Sequence, residues 1–172
     1  DNALSCFAQM QNEGVFPDAV TYVCILKACA SVGSLKICEE IDATVRKQGL
    51  LVQNNVLGNT LIDAYAKCGA PGKAREVFEQ LPIRNIVTWN ALISGSAQLG
   101  RVDMVLDLYN RMRVEDVPNL VTFTALLTAC SHAGLVEEGQ KLFDEMRIDY
   151  HLTPTLEHYS CMIDLFGRAG HF

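Results

Sequence analysis

The sequence lacks the features by which many catalytic, secreted and membrane-spanning chains are recognised. No apolar run approaches the roughly 18 residues needed to cross a bilayer, and the start, DNALSCFAQMQNEG, holds neither a basic region nor a cleavage pattern. The chain therefore reads as soluble, with no membrane partner and with any targeting peptide lying outside this sequence. The seven cysteines, Cys6, Cys24, Cys29, Cys38, Cys68, Cys130 and Cys161, are odd in number and include no Cys-x-x-Cys pair. They support neither a disulfide framework nor a zinc site and read as small, buried residues of a reducing compartment. His132, His151, His158 and His171 show no ligand spacing, so no metal and no cofactor is expected. Positive charge is scarce, with 14 Lys and Arg against 20 Asp and Glu and a net charge of -6. That balance excludes a general phosphate sponge and leaves room only for a ligand met on a locally favourable face.

What is present is a folded composition, 49% apolar and 20% charged, in a chain long enough for one domain or for an array with a continuous core. Self-similarity decides between them. Five blocks align on a closing glycine: TYVCILKACASVG at Gly33, LGNTLIDAYAKCG at Gly69, TWNALISGSAQLG at Gly100, TFTALLTACSHAG at Gly134 and HYSCMIDLFGRAG at Gly170. Within each block apolar residues fall at helical spacing, as in Leu61, Ile62, Tyr65 and Ala66, and the glycine supplies a left-handed stop. A second periodic segment follows, for example Val77, Phe78 and Leu81, or Leu142, Phe143 and Met146. These are helices A and B of a hairpin. Pro17, Pro82, Pro118 and Pro154 fall near the ends of the B segments, where the chain must leave the helix. Ala3, Cys38, Ala74 and Gly139 recur at one place early in helix B and predict close helix approach there, with Val105 breaking the pattern. One hairpin cannot bury its apolar face alone, so neighbours must stack.

The blocks FAQMQNEGVFPD, LIDAYAKCG, WNALISGSAQLG and LLTACSHAGLVEEG resemble plant organellar pentatricopeptide repeats of the mixed type, in which P, L and S repeats alternate in length. The resemblance covers essentially the whole chain. It implies an all-α, right-handed α-solenoid of antiparallel helix-hairpin repeats with the A helices on the concave side. The divisions are 1–18 (second half of a P-like repeat), 19–54 (L-like), 55–85 (S-like), 86–119 (P-like), 120–155 (L-like) and 156–172 (first half of an S-like repeat).

Such repeats read single-stranded RNA at about one base each, and the resemblance places the reading on the fifth and last residues. The pairs are Val23 with Asn54, Asn59 with Asn85, Asn90 with Asn119, and Thr124 with Thr155; Asp18 closes the first, partial repeat and Ser160 is the fifth residue of the last. An amide suits a base edge because it both donates and accepts. Two successive Asn pairs imply two adjacent pyrimidines, cytosine somewhat over uracil. Val23 cannot hydrogen-bond and Thr155 is an unusual partner, so both L-like repeats are expected to add little. By the same resemblance Val20, Val56, Val87 and Val121 lie against base faces, where Glu157 departs from the pattern, and Lys67 and Arg168 meet phosphate. Plainer readings stand beside these. The Asn residues can be helix caps, the valines core, and the two cations ordinary partners of a helix C-terminus. Trp89 and Phe123 read as packing residues.

TALLTACSHAGLVEEGQKLFDEM followed by LEHYSCMIDLFGRAG resembles the last L and S repeats that precede a zinc deaminase-like extension in editing factors of this type. The His-x-Glu and Pro-Cys-x-x-Cys sets of that chemistry do not occur in this sequence, so it is not expected to be an enzyme. The expected role is sequence-specific RNA binding within an RNA-editing or RNA-processing factor of a mitochondrion or chloroplast. The alternative is a scaffold that binds editing cofactor proteins or a peptide through the L-like repeats. The outer faces of residues 2–13 and 158–168 further suggest head-to-tail self-association.

Overall fold

A computed structural model describes residues 2–170. Among the described residues there are eleven α-helices and no strand: α1 (Asn2–Asn12), α2 (Ala19–Val32), α3 (Leu35–Lys47), α4 (Leu50–Gln53), α5 (Asn55–Lys67), α6 (Pro71–Gln80), α7 (Ile86–Gln98), α8 (Val102–Glu115), α9 (Leu120–Ala133), α10 (Val136–Ile148) and α11 (Leu156–Arg168). None is long and apolar enough to cross a membrane. The chain forms two compact units, one ending at Leu92 and one beginning at Ile93, with the division inside α7.

The glycine register sets the hairpins. Gly33 ends α2 at φ 68° and Gly134 ends α9 at φ 68°, a left-handed conformation that costs an L side chain roughly 1–2 kcal/mol. Both ends close the same way, with the next amide reaching back over the last turn: Ser34 N to Cys29 O at 3.0 Å and Leu135 N to Cys130 O at 3.0 Å. The B segment of residues 19–54 departs from a single helix. Gly49, at φ 68°, stops α3, and a four-residue turn, α4, follows and lays Leu51 into the core.

In the first unit α2 packs on α5 and α5 on α6; in the second α9 packs on α10 and on α11. The A helices therefore carry the wider apolar faces. Leu57, Leu61 and Ile62 of α5 and Phe123, Leu126 and Leu127 of α9 have no exposed surface, each such burial being worth about 1.5–3 kcal/mol. Trp89 and Phe123 are core residues, Trp89 lying edge-on to Phe78 at 4.7 Å. The small-residue register does what its spacing predicts at Cys38, Ala74 and Gly139 but not at Ala3, which is exposed on α1. Cys38 and Ala74 are fully buried, and a Cβ added at Gly139 would press on Leu165 of α11.

Replacing Gly134 by Ala is expected to lower stability by about 1–2 kcal/mol. Gly72 lies in α6 with open space around it, so Gly72→Ala should raise stability by about 0.5–1 kcal/mol. Urea unfolding followed by circular dichroism checks both, and equal effects would contradict the left-handed stop.

Candidate nucleic-acid interface

The residue just before each A helix is its N-cap. Asp18 accepts on Oδ1 from Thr21 N at 2.8 Å and Thr21 Oγ1 at 2.7 Å, bonds that hold its carboxyl below the usual carboxylate range. Asn54 Oδ1 accepts from Leu57 N at 3.1 Å. Asn85 Oδ1 accepts from Val87 N, Thr88 N and Thr88 Oγ1, each at 3.1 Å. Asn119 Oδ1 accepts from Thr122 N and Thr122 Oγ1 at 3.2 Å. The helix N-terminus presents orphan amides, and a short polar side chain is the economical partner for them. In each Asn the carbonyl oxygen is thereby committed to the helix. Asn85 is exposed, and its Nδ2 remains to donate outward.

Two and five residues after each cap come the valine and the fifth residue of the repeat. Being three apart in the first turns of a helix, they share a face. Val20, Val56, Val87 and Val121 are 68%, 64%, 56% and 53% exposed. They are not core residues, although each sits on a helix whose other face is buried. Asn59 is half-buried and its carbonyl oxygen is buried with no hydrogen-bond partner. Asn90 is 8% exposed, Val23 is half-buried, and Ser160 is exposed and donates to Leu156 O at 2.9 Å.

The Thr124 and Thr155 pair is organised differently, around His158. Thr155 N reaches His158 Nδ1 at 3.1 Å. A backbone N–H can only donate, so Nδ1 holds a lone pair and the ring proton sits on Nε2. That proton faces Leu120 O at 3.0 Å and Thr124 Oγ1 at 3.2 Å. Thr124 Oγ1 itself donates to Leu120 O at 3.0 Å. One buried ring thus ties the start of α11 to the start of α9. Thr124, Thr155, His158 and Val121, with Ser94, Gln98 and Thr128, line a pocket of about 360 Å³, near the lower end of the range for small-ligand sites. The pocket belongs to the pair from which least was expected.

Family models match along the chain: the Pentatricopeptide repeat domain over residues 5–51, the PPR repeat over 59–86 and 121–149, and the PPR repeat family over 84–132. The chain belongs to the pentatricopeptide repeat family. Among its relatives in Arabidopsis thaliana, a pentatricopeptide repeat-containing protein is 44% identical over 169 residues, covering 98% of this chain and 23% of that protein. A mitochondrial one is 42% identical over 170 residues (98% and 25%) and a chloroplastic one 43% identical over 172 (99% and 23%). The chain spans about a quarter of the length of these relatives. Among solved structures, the pentatricopeptide repeat protein PPR10 in complex with an 18-nucleotide psaJ RNA element superposes with a TM-score of 0.83 over 98% of this chain and 25% of that one, at 23% identity. PPR10 from maize gives 0.77 over 97% and 24%, also at 23% identity. The fold is that α-solenoid of helix hairpins.

The two cations proposed for phosphate are not idle on their pentatricopeptide helices. Lys67 Nζ lies 2.8 Å from Asp63 Oδ2, and Arg168 Nε lies 2.8 Å from Asp164 Oδ2. Ser131 and Arg168 both hydrogen-bond Asp164 and hold its carboxyl below the usual range. These acids occupy one register of helix A and were absent from the residues singled out in the sequence, as were Ser94 and Thr128, while His158 was assigned no role there. His158 does have a sequence signal: it stands where Thr88 and Thr122 stand, three residues after a cap.

An unpaired buried acceptor costs about 1–3 kcal/mol, whereas losing a cap costs about 1 kcal/mol. Asn59→Leu is therefore expected to leave the melting midpoint unchanged or raise it, and Asn119→Leu to lower it. Thermal unfolding of the two variants reads the difference, and a large loss in Asn59→Leu would mean that its oxygen has a structural partner.

Proposed function

We propose that this pentatricopeptide chain binds single-stranded RNA in a sequence-specific way, one base per repeat, as the recognition part of an organellar RNA-editing or RNA-processing factor of a mitochondrion or chloroplast. The repeats follow the mixed order described above, 19–54 and 120–155 being L-like, 55–85 and 156 onward S-like, and 86–119 P-like. One observation carries the reading: the exposed valines at the second position of A helices, Val20, Val56, Val87 and Val121. A β-branched apolar residue left in water at the same register in successive repeats has no role in the protein's own packing. It offers a dry face to a planar base. The fifth and last residues supply the edge contacts, Asn85 through its exposed amide and Asn59 after its side chain turns, since the Asn59 oxygen is buried and has no partner holding it there. Two relatives are mitochondrial and chloroplastic by name, and PPR10 was solved with an RNA element.

In this reading the role is binding without catalysis, and affinity comes mainly from base contacts. With net charge -6 and both candidate phosphate cations paired to carboxylates, the salt dependence is shallow. Lys67 and Arg168 reach phosphate by exchanging partners, since exposed ion pairs are worth only about 0–1 kcal/mol.

A second reading has its own observation. Phe16, Val52, Ile83 and Val117, each two residues before an N-cap, are 89%, 69%, 64% and 69% exposed. They form a protein-facing series suited to editing cofactor proteins. An apolar groove lined by Phe143, Met162, Ile163 and Phe166, with Ile163 71% exposed, favours head-to-tail self-association onto α1, none of whose residues is buried. Sedimentation that stays monomeric at all concentrations and low salt removes the self-association.

Fluorescence anisotropy with short RNAs carrying CC, UU, AA or GG at the two central sites tests the main reading. A pyrimidine preference on the order of tenfold, lost in Asn59→Ala with Asn90→Ala, is expected; no preference moves the assignment to the protein scaffold. Asp63→Asn and Asp164→Asn should each raise affinity and steepen the logarithmic salt slope by about 1, and an unchanged slope would remove Lys67 and Arg168 from the interface.

A further inference from the structure

Three cysteines of the first unit converge where α2, α3 and α5 meet. Cys38, in the first turn of α3, is fully buried, as is Cys29 near the end of α2. Cys68, which ends α5, is half-buried. Cys38 Sγ and Cys68 Sγ lie 3.7 Å apart, and Cys68 Sγ lies 3.9 Å from Cys29 O. Among the described residues no group of His, Cys, Asp and Glu is placed to hold a metal ion.

We propose that Cys38 and Cys68 are a reversible redox pair, a modification site at which a peroxide joins the two sulfurs and staples the start of α3 to the end of α5. The sulfurs must close by less than 2 Å to reach the roughly 2.0 Å of a disulfide, a movement within the reach of side-chain rotation. Cys68 reacts first because it is the one the solvent reaches. Its thiolate attacks the peroxide, the O–O bond breaks, and Cys68 becomes a sulfenic acid while hydroxide leaves and is protonated to water. Cys38 Sγ then attacks the Cys68 sulfur, the S–O bond breaks, and the hydroxyl departs with the Cys38 proton as a second water. Two thiols and one peroxide give one disulfide and two waters, the two electrons passing to the peroxide oxygens. Burial pushes the Cys38 thiol far above its ordinary range, with Cys68 and Cys29 beside it adding to the effect. Cys38 is therefore slow to react with any oxidant directly, and closure depends on its fixed position beside Cys68.

The sequence register supports a pair rather than two chance thiols. Cys38 occupies the place held by Ala3, Ala74, Val105 and Gly139, and Cys68 the place held by Val32, Leu99, Ala133 and Ala169 in other repeats. No other repeat carries a cysteine at either place, so packing there does not require one. The two cysteines coincide across one contact, between hairpins already tied by Tyr65 Oη donating to Asp42 Oδ2 at 2.8 Å. The inference is independent of RNA binding.

The test is hydrogen peroxide treatment of the dilute chain, alkylation of remaining thiols with N-ethylmaleimide, and peptide mass spectrometry with and without dithiothreitol. A dithiothreitol-sensitive Cys38–Cys68 peptide is expected, with a melting midpoint raised by about 5 °C or more. Cys38→Ala and Cys68→Ala, which restore the residue other repeats carry, should fold normally and lose the rise. Cys68 recovered as sulfinic acid with Cys38 still alkylatable, links confined to the exposed Cys6 and Cys24, or an equal rise in the Cys38→Ala variant would each overturn the proposal.

Discussion

A side-chain oxygen accepting backbone amides holds the first turn of A helices in this chain, and the arrangement of the candidate interface follows from it. Asn85 Oδ1 accepts three donors and Asn119 Oδ1 two, closing a helix end that would otherwise leave bare N–H groups. The cap fixes the residue at which the helix begins. Once that is fixed, the residues two and five positions later share a face, and Val56 and Asn59, or Val121 and Thr124, become neighbours. The Asn oxygens at these caps are taken up by the helix, which leaves any further contact of the same side chain to its amide nitrogen.

Periodicity made the hairpins legible, because glycine stops and apolar spacing are local properties of the chain. The equivalent endings at Gly33 and Gly134 could be read from the letters alone. The break at Gly49 was less accessible, since that glycine lies outside the repeating register and its turn depends on Leu51 finding the core. His158 was illegible for another reason. Its role rests on Leu120 O, 38 residues away, and no spacing along the chain displays such a partner. The valines are the opposite case: their place in the repeat was visible, and only exposure distinguishes them from the core valines Val45, Val77 and Val105.

The acids at Asp63 and Asp164 each pair with a cation of their own helix, Lys67 and Arg168. Each sits one turn before its partner, an arrangement that stabilises an isolated helix by only a few tenths of a kcal/mol. Weak pairs on the surface are readily exchanged, and they hide from any count of net charge.

The position before each A helix is filled by Asp18, Asn54, Asn85, Asn119 and Thr155. Asp, Asn and Thr all cap helices, Thr only somewhat less well, yet they bring different chemistry to that place: an anion, an amide, a hydroxyl. Substitution among them can therefore alter the chemistry at the start of a helix, one letter at a time, while the helix behind it stays nearly as stable. A helix end that accepts several residues almost equally well is a place where a chain can vary without losing its fold.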